Sequence, residues 1–199
     1  EAHGLAQVDD LRGRFADPVE LTTWAMANVW PDANHTIMGF LDPNLPLLRD
    51  YMTAHNILAL MLDPHVPDQR ALLDQVLAET PPNIPLLGWA IDELLGVILF
   101  SRGSKFHVAS DWARNLSTTS GLPRPELTQD HAPPVETVDN TIYLAFALTD
   151  GDNVAYSLDT LWRQWNDPAR GQVPIGWEVS FNLIDIAPQA IRYYYETKS

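Results

Sequence analysis

No cysteine occurs anywhere in the chain. Thiol catalysis, disulfide stapling and cysteine-ligated zinc are thereby excluded. Basic residues are scarce: 12 Lys plus Arg stand against 26 Asp plus Glu, a formal net charge of −14. Binding a polyanion needs basic contacts to phosphate, so nucleic acid is not an expected partner. An anionic membrane surface is disfavoured for the same reason. No apolar run approaches the roughly 20 residues that span a bilayer, and no signal peptide is seen around Glu1-Ala2-His3-Gly4. If the natural protein is exported, its signal has been removed. The histidines (His3, His35, His55, His65, His107, His131) form no His-x-His or His-x₃-His pair, so a zinc enzyme is not expected. A Gly-x-Ser-x-Gly elbow, a phosphate loop and a Gly-x-Gly-x-x-Gly turn are all missing. Serine hydrolases, NTPases and dinucleotide enzymes therefore lose support.

What remains is a chain of 199 residues, 46% hydrophobic, with seven Trp and six Tyr. That is enough for one domain with a full core. Residues 1–34 read as a helical lead-in, with a mixed polar start over 1–16 and a helix over 18–30. From residue 35 a pattern repeats. Short apolar runs at 36–41, 57–62, 85–91, 106–109, 141–149 and 174–181 read as strands. Between and after them, helical periodicity runs over 45–55, 68–79, 93–102, 154–166 and 187–196. The run at 120–140, with Pro123, Pro125, Pro133 and Pro134, reads as a loop excursion. Continuous apolar strands alternating with amphipathic helices mean α/β architecture with parallel strands covered by helices. A closed barrel of this kind needs eight strands and about 250 residues. The expectation over 35–199 is therefore parallel β/α units in an incomplete TIM-like barrel of about six strands, with an open sheet as the other solution.

In such folds ligands meet the C-terminal ends of strands. The richest junction is Leu148-Thr149-Asp150-Gly151-Asp152-Asn153, where an apolar run stops at two acids and an amide around one glycine. These groups suit acid–base chemistry, sugar hydroxyls or a hard cation. Alternatively Gly151 only makes a turn, and Asp152 or Asn153 caps the helix that follows. Asp42, Asp63, Asp92, Glu93 and Asp111 also stand at strand ends. Asp42-Pro43 and Asp63-Pro64, like Asp17-Pro18 and Asp167-Pro168, fit helix caps as well. Asp92 and Glu93 are adjacent and point differently, so at most one enters a pocket. Asp111 could cap a helix at 112–116. Trp162 and Trp165 follow the helix period with Leu158 and Leu161 and read as core. At least one of Tyr193, Tyr194 and Tyr195 must face outward. Trp89, Trp112 and Trp177 are the candidates for stacking on a sugar, with Glu178 beside them. Asp-Gly-Asp-Asn offers oxygen donors for Ca²⁺ or Mg²⁺, but the EF-hand pattern fails at Ala155 and Leu161. No metal or other cofactor is assigned.

Several blocks in order resemble the GxGYxYP family of glycoside hydrolases. They are Pro85-Leu86-Leu87-Gly88-Trp89 with Asp92-Glu93, Ser110-Asp111-Trp112-Ala113-Arg114-Asn115-Leu116-Ser117, Thr149-Asp150-Gly151-Asp152-Asn153, Asp167-Pro168-Ala169-Arg170-Gly171 and Val173-Pro174-Ile175-Gly176-Trp177. The resemblance runs over roughly 35–199. It implies a bacterial, secreted or periplasmic, barrel-like domain acting on carbohydrate. It transfers no catalytic residues. The naming motif, Gly-x-Gly-Tyr-x-Tyr-Pro, is absent; by this resemblance it belongs after the helix near 193–197. The chain is thus expected to be an N-terminal piece of the catalytic region, with its open edge covered by the remainder, a second chain or self-association. Three functions stay open. In a glycosidase, Asp150 or Asp152 would pair with Asp92, Glu93, Asp111 or Glu178 as acid and nucleophile or base. In a glycan-binding module the same acids only bind hydroxyls. In a metal-dependent hydrolase, Asp-Gly-Asp-Asn holds the ion.

Overall fold

The computed structural model describes residues 10–198 except 43, 46 and 129–138. In chain order it contains α1 (Pro18–Asn28), a 3₁₀ turn (Trp30–Asp32), β1 (Met38–Phe40), α2 (Arg49–Ala54), β2 (Ala59–Leu60), α3 (Pro67–Glu79), β3 (Pro85–Gly88), α4 (Glu93–Arg102), β4 (Phe106–Ala109) and α5 (Leu116–Thr119). There follow β5 (Ala147–Leu148), α6 (Val154–Leu158), α7 (Thr160–Trp165), β6 (Gly176–Trp177), α8 (Leu183–Ile186) and α9 (Pro188–Glu196). The class is α/β with parallel strands. Among the described residues the strands form a four-stranded sheet in the order β2-β1-β3-β4 and a separate β5-β6 pair. One continuous sheet of about six strands, expected from the alternation, is not formed by them. The prolines Pro133 and Pro134 of the expected excursion lie outside the described residues, as do His3 and His131.

The chain divides into two compact units. The first takes residues up to Asn44, Asn56–Leu86 and Ala90–His107. Its strand β1 is buried at every position, as a strand covered on both faces requires. Met38, Phe40, Leu62, Leu73, Val76, Leu86, Leu99 and Phe100 fill the core, with the rings of Phe40 and Phe100 edge to face at 5.3 Å. β1 and β2 are parallel with Gly39 opposite Ala59. Asp17 starts α1 by accepting the Glu20 N–H (2.9 Å), while Glu20 accepts the Ala16 N–H (2.8 Å). This reciprocal pair satisfies two otherwise orphan donors. Lys105 is buried, and its ammonium donates to the carbonyls of Leu77 (2.8 Å), Thr80 (3.3 Å) and Gly103 (2.7 Å). It thereby closes the end of α3, and burial pushes its pKa down.

The second unit takes Leu45–His55, Leu87–Trp89 and the chain from Val108 onward. β5 and β6 are parallel, with Ala147 opposite Gly176 and Leu148 opposite Trp177. Asp50 ties α2 to α5 by accepting from the Ser117 N–H (3.0 Å) and hydroxyl (2.7 Å). Two local readings change here. The expected helix over 154–166 breaks at Asp159, whose backbone (φ −125, ψ −74) leaves the helical region. Trp165 is then core, packed against Trp177 and Tyr194 at 5.1 and 5.0 Å, whereas Trp162 is 51% exposed rather than core. Of the three consecutive tyrosines only Tyr194 is buried. Its hydroxyl donates to the Ser157 carbonyl, and burial raises its pKa.

Candidate active site

β5 runs into Thr149-Asp150-Gly151-Asp152-Asn153, and β6 runs into Glu178. The parallel pairing continues past the strands proper, with Glu178 N–H donating to the Leu148 carbonyl (3.1 Å). The two strand ends therefore meet side by side. Asp150 has φ +84, a left-handed conformation that non-glycine residues seldom adopt. Gly151 is buried against Glu178: a Cβ there would sit 2.5 Å from the Glu178 Cγ and carbonyl oxygen. Only glycine permits this approach. The result brings Glu178 against the Asp150-Gly151-Asp152 turn. The carboxylates of all three acids belong to exposed residues.

The neighbouring groups fix this turn. Asn153 caps α6 by accepting the Tyr156 N–H (2.9 Å). Ser180 is buried and its hydroxyl donates to the Asp152 carbonyl (3.4 Å). Tyr156 donates to Gln164 (2.8 Å), and its pKa is raised by burial and then by the charge of Asp150. An open groove of about 1330 Å³ in this unit is lined by Phe146, Trp165, Arg170, Trp177, Glu178 and Phe181 among others. Trp177 turns to Trp165 in an edge-to-face contact, so its ring serves packing. Phe146 and Phe181, at 56% and 72% exposure, are the aromatic faces left open there; no spacing marked them in the sequence.

At the end of β4, Asp111 is buried and partnered. It caps no helix, because α5 starts only at Leu116, with Asn115 left-handed in the cap position. Trp112 is 60% exposed, and Trp89, at the end of β3, is half-buried. Ser110 closes the two strand ends by donating to the Val108 carbonyl (3.0 Å) and accepting the Gly88 N–H (3.0 Å).

The first unit holds the other acids. Asp42 accepts from the backbone N–H (2.7 Å) and side-chain amide (3.0 Å) of Asn44. Asp63 accepts the His65 N–H (2.9 Å) and caps no helix, since α3 begins at Pro67 with no side-chain cap. Asp92 does cap: it accepts the Leu95 N–H (2.8 Å). That bond, against the opposing effect of desolvation and with help from His65, holds its carboxyl below the usual range. Glu93 is exposed in the first turn of α4. Sequence spacing missed His65, whose Nε2 lies 3.2 Å from Asp92 across 27 residues of chain. Among the described residues no three His, Cys, Asp or Glu side chains gather as a metal site, and no helix is long and apolar enough to cross a membrane.

Residues 34–121 match the model of the "GxGYxYP third domain", and residues 140–199 match that of the "GxGYxYP putative glycoside hydrolase C-terminal domain". The fold is similar to a crystal structure described as "a putative hydrolase from Bacteroides thetaiotaomicron", with a TM-score of 0.74 and 27% identity over 89% of this chain. The chain spans 35% of that protein's length. No curated protein matches it. The two family matches, in sequence order and covering both strand-end clusters, place the chain in the GxGYxYP family.

Proposed function

We propose that the chain forms part of a carbohydrate-active hydrolase whose reactive edge is the end of the β5–β6 pair. The observation that carries this reading is the seating of Glu178 on Gly151, between Asp150 and Asp152 in sequence. Glycoside cleavage needs two carboxyl groups on either side of the scissile bond, one as acid and one as nucleophile or base. Adjacent acids on one turn cannot oppose each other in that way, but acids from two neighbouring strands can. Glu178 is the proposed partner of Asp150 or Asp152, with Asp111 of the same unit as the further candidate. Asp92 is already engaged as a helix cap. Phe181 and Trp112 offer exposed faces for sugar stacking. The family description and the neighbouring hydrolase support the same reaction class.

The parallel β/α units fit a portion of a TIM-like barrel. Because the matched hydrolase is almost three times longer than its shared part, we place the rest of the catalytic architecture in companion segments of family members. Export to the periplasm or beyond accords with a polysaccharide substrate.

The test is reducing-sugar release from a broad glycan panel by this chain, by the same frame extended to the family's full architecture, and by the extended form carrying Asp150→Asn. Release by the extended protein and its loss in the variant supports the reading. Saturable glycan binding without release would replace it with a binding module, and silence throughout would overturn it.

A further inference from the structure

We propose that His65 and Asp92 form a hydroxyl-binding subsite in the first unit, with Nδ1 of His65 as the acceptor for a neutral oligosaccharide. This rests on the carbohydrate reading above but concerns a different group of residues. His65 follows β2 and Asp92 follows β3, the two strands that flank β1 in the sheet. Their bond of 3.2 Å therefore reaches over the end of β1, where Asp42 lies. In open parallel sheets this edge is where ligands bind.

The bond also sets the imidazole's tautomer. The ionised Asp92 carboxylate has only lone pairs to offer, so Nε2 must carry the hydrogen. In the neutral ring Nδ1 then presents a lone pair, and no partner for it exists among the described residues. Asp92 is itself fixed by the Leu95 N–H of α4, and the His65 backbone is fixed by Asp63, whose own N–H donates to Gln69 (2.7 Å). The carboxylates bonded to His65 are thus Asp63, at the backbone N–H, and Asp92, at the ring.

An exposed imidazole–carboxylate hydrogen bond adds little stability, and the His65 side chain is 60% exposed. Its orientation is held from two sides while its packing is slight, which is the arrangement that pre-organised recognition needs. Ile91 and Leu94, 53% and 73% exposed at the start of α4, provide apolar surface next to Asp92 for the C–H face of a sugar.

The experiment follows the His65 ring nitrogens by ¹⁵N NMR while cellohexaose, xylohexaose or mannopentaose is added. Expected are an Nε2-protonated ring and a saturable shift of Nδ1 with at least one sugar. His65→Gln keeps an N–H at the Nε2 position for Asp92, but its amide oxygen does not occupy the Nδ1 position. It should leave the Tm within about 1 °C and weaken that sugar about tenfold or more. An Nδ1 that no sugar moves, or unchanged affinity in His65→Gln, overturns the subsite. Sugar binding at His65 without hydrolysis by the extended protein overturns the hydrolase reading and keeps the subsite. Hydrolysis with His65 unperturbed does the reverse.

Discussion

The run at 36–41 and the run at 141–149 are both short, apolar and strand-like in sequence, yet they end in opposite environments. The first becomes β1, whose residues are all buried between neighbours on both sides of the strand. The second keeps two residues of strand, paired among the described residues with β6 alone. Ile142, Leu144 and Phe146 stand 94%, 76% and 56% exposed. Apolar character creates the demand for burial, but strand partners and covering helices meet it. In this chain the demand is met around β1 and unmet around β5, and the reactive groups proposed here sit at the unmet edge.

The comparison breaks most visibly under truncation. Phe40→Ala should cost about 3–5 kcal/mol in urea unfolding, because it opens a void against Phe100. Leu144→Ala should change stability by about 0.5 kcal/mol or less, since nothing is removed from a core. Equal costs would mean that the 141–149 run is buried in solution. Gly151→Ala comes next. It forces Glu178 away and should cost about 1–3 kcal/mol. Gly176→Ala, whose Cβ would meet nothing closer than 3.6 Å, should cost less. Asn153→Ala removes the cap of α6 and should cost about 1 kcal/mol, readable as a lower urea midpoint at unchanged slope.

The smallest effect is on acid stability. Desolvation would raise the Asp50 carboxyl, but the two bonds from Ser117, together with the backbone N–H groups of Tyr51 and Asp50, outweigh it and leave the pKa lowered. A carboxyl lowered in the folded state contributes stability above its unfolded value, near 3.8, and loses it as pH falls through the lower folded value. Asp50→Asn should therefore flatten the fall of Tm below about pH 4. An acid limb as steep as in the unsubstituted chain would remove Asp50 from the account.

Much of the fold was legible because its signals are local. Alternating runs marked β1 to β4 and the helices α1, α3 and α4, and Asp17-Pro18 gave the start of α1 to the residue. The site was legible in part. Acids at strand ends were visible, but which of them are spent on backbone was not. Asp92 and Asn153 cap helices, and Asp42 and Asp63 close turns, a division that depends on loop geometry two or three residues further on. Trp177 reads as a stacking candidate from its place near a strand end; its contact with Trp165, 12 residues away in sequence, follows no periodicity that would announce it. The break at Asp159, which sends Trp162 outward, has no proline or glycine to announce it. His65 and Asp92 meet only because β2 and β3 flank β1, and strand order is not written in the spacing of either residue.

The most direct test of the account is the rate of sugar release from a responsive glycan by the extended protein carrying Glu178→Gln, set beside Trp177→Phe. The account predicts a loss of about 10²-fold or more in kcat for Glu178→Gln at unchanged Tm, and a change in stability but little in kcat for Trp177→Phe. A Glu178→Gln protein that retains its rate would contradict the claim that the β5–β6 edge carries the chemistry.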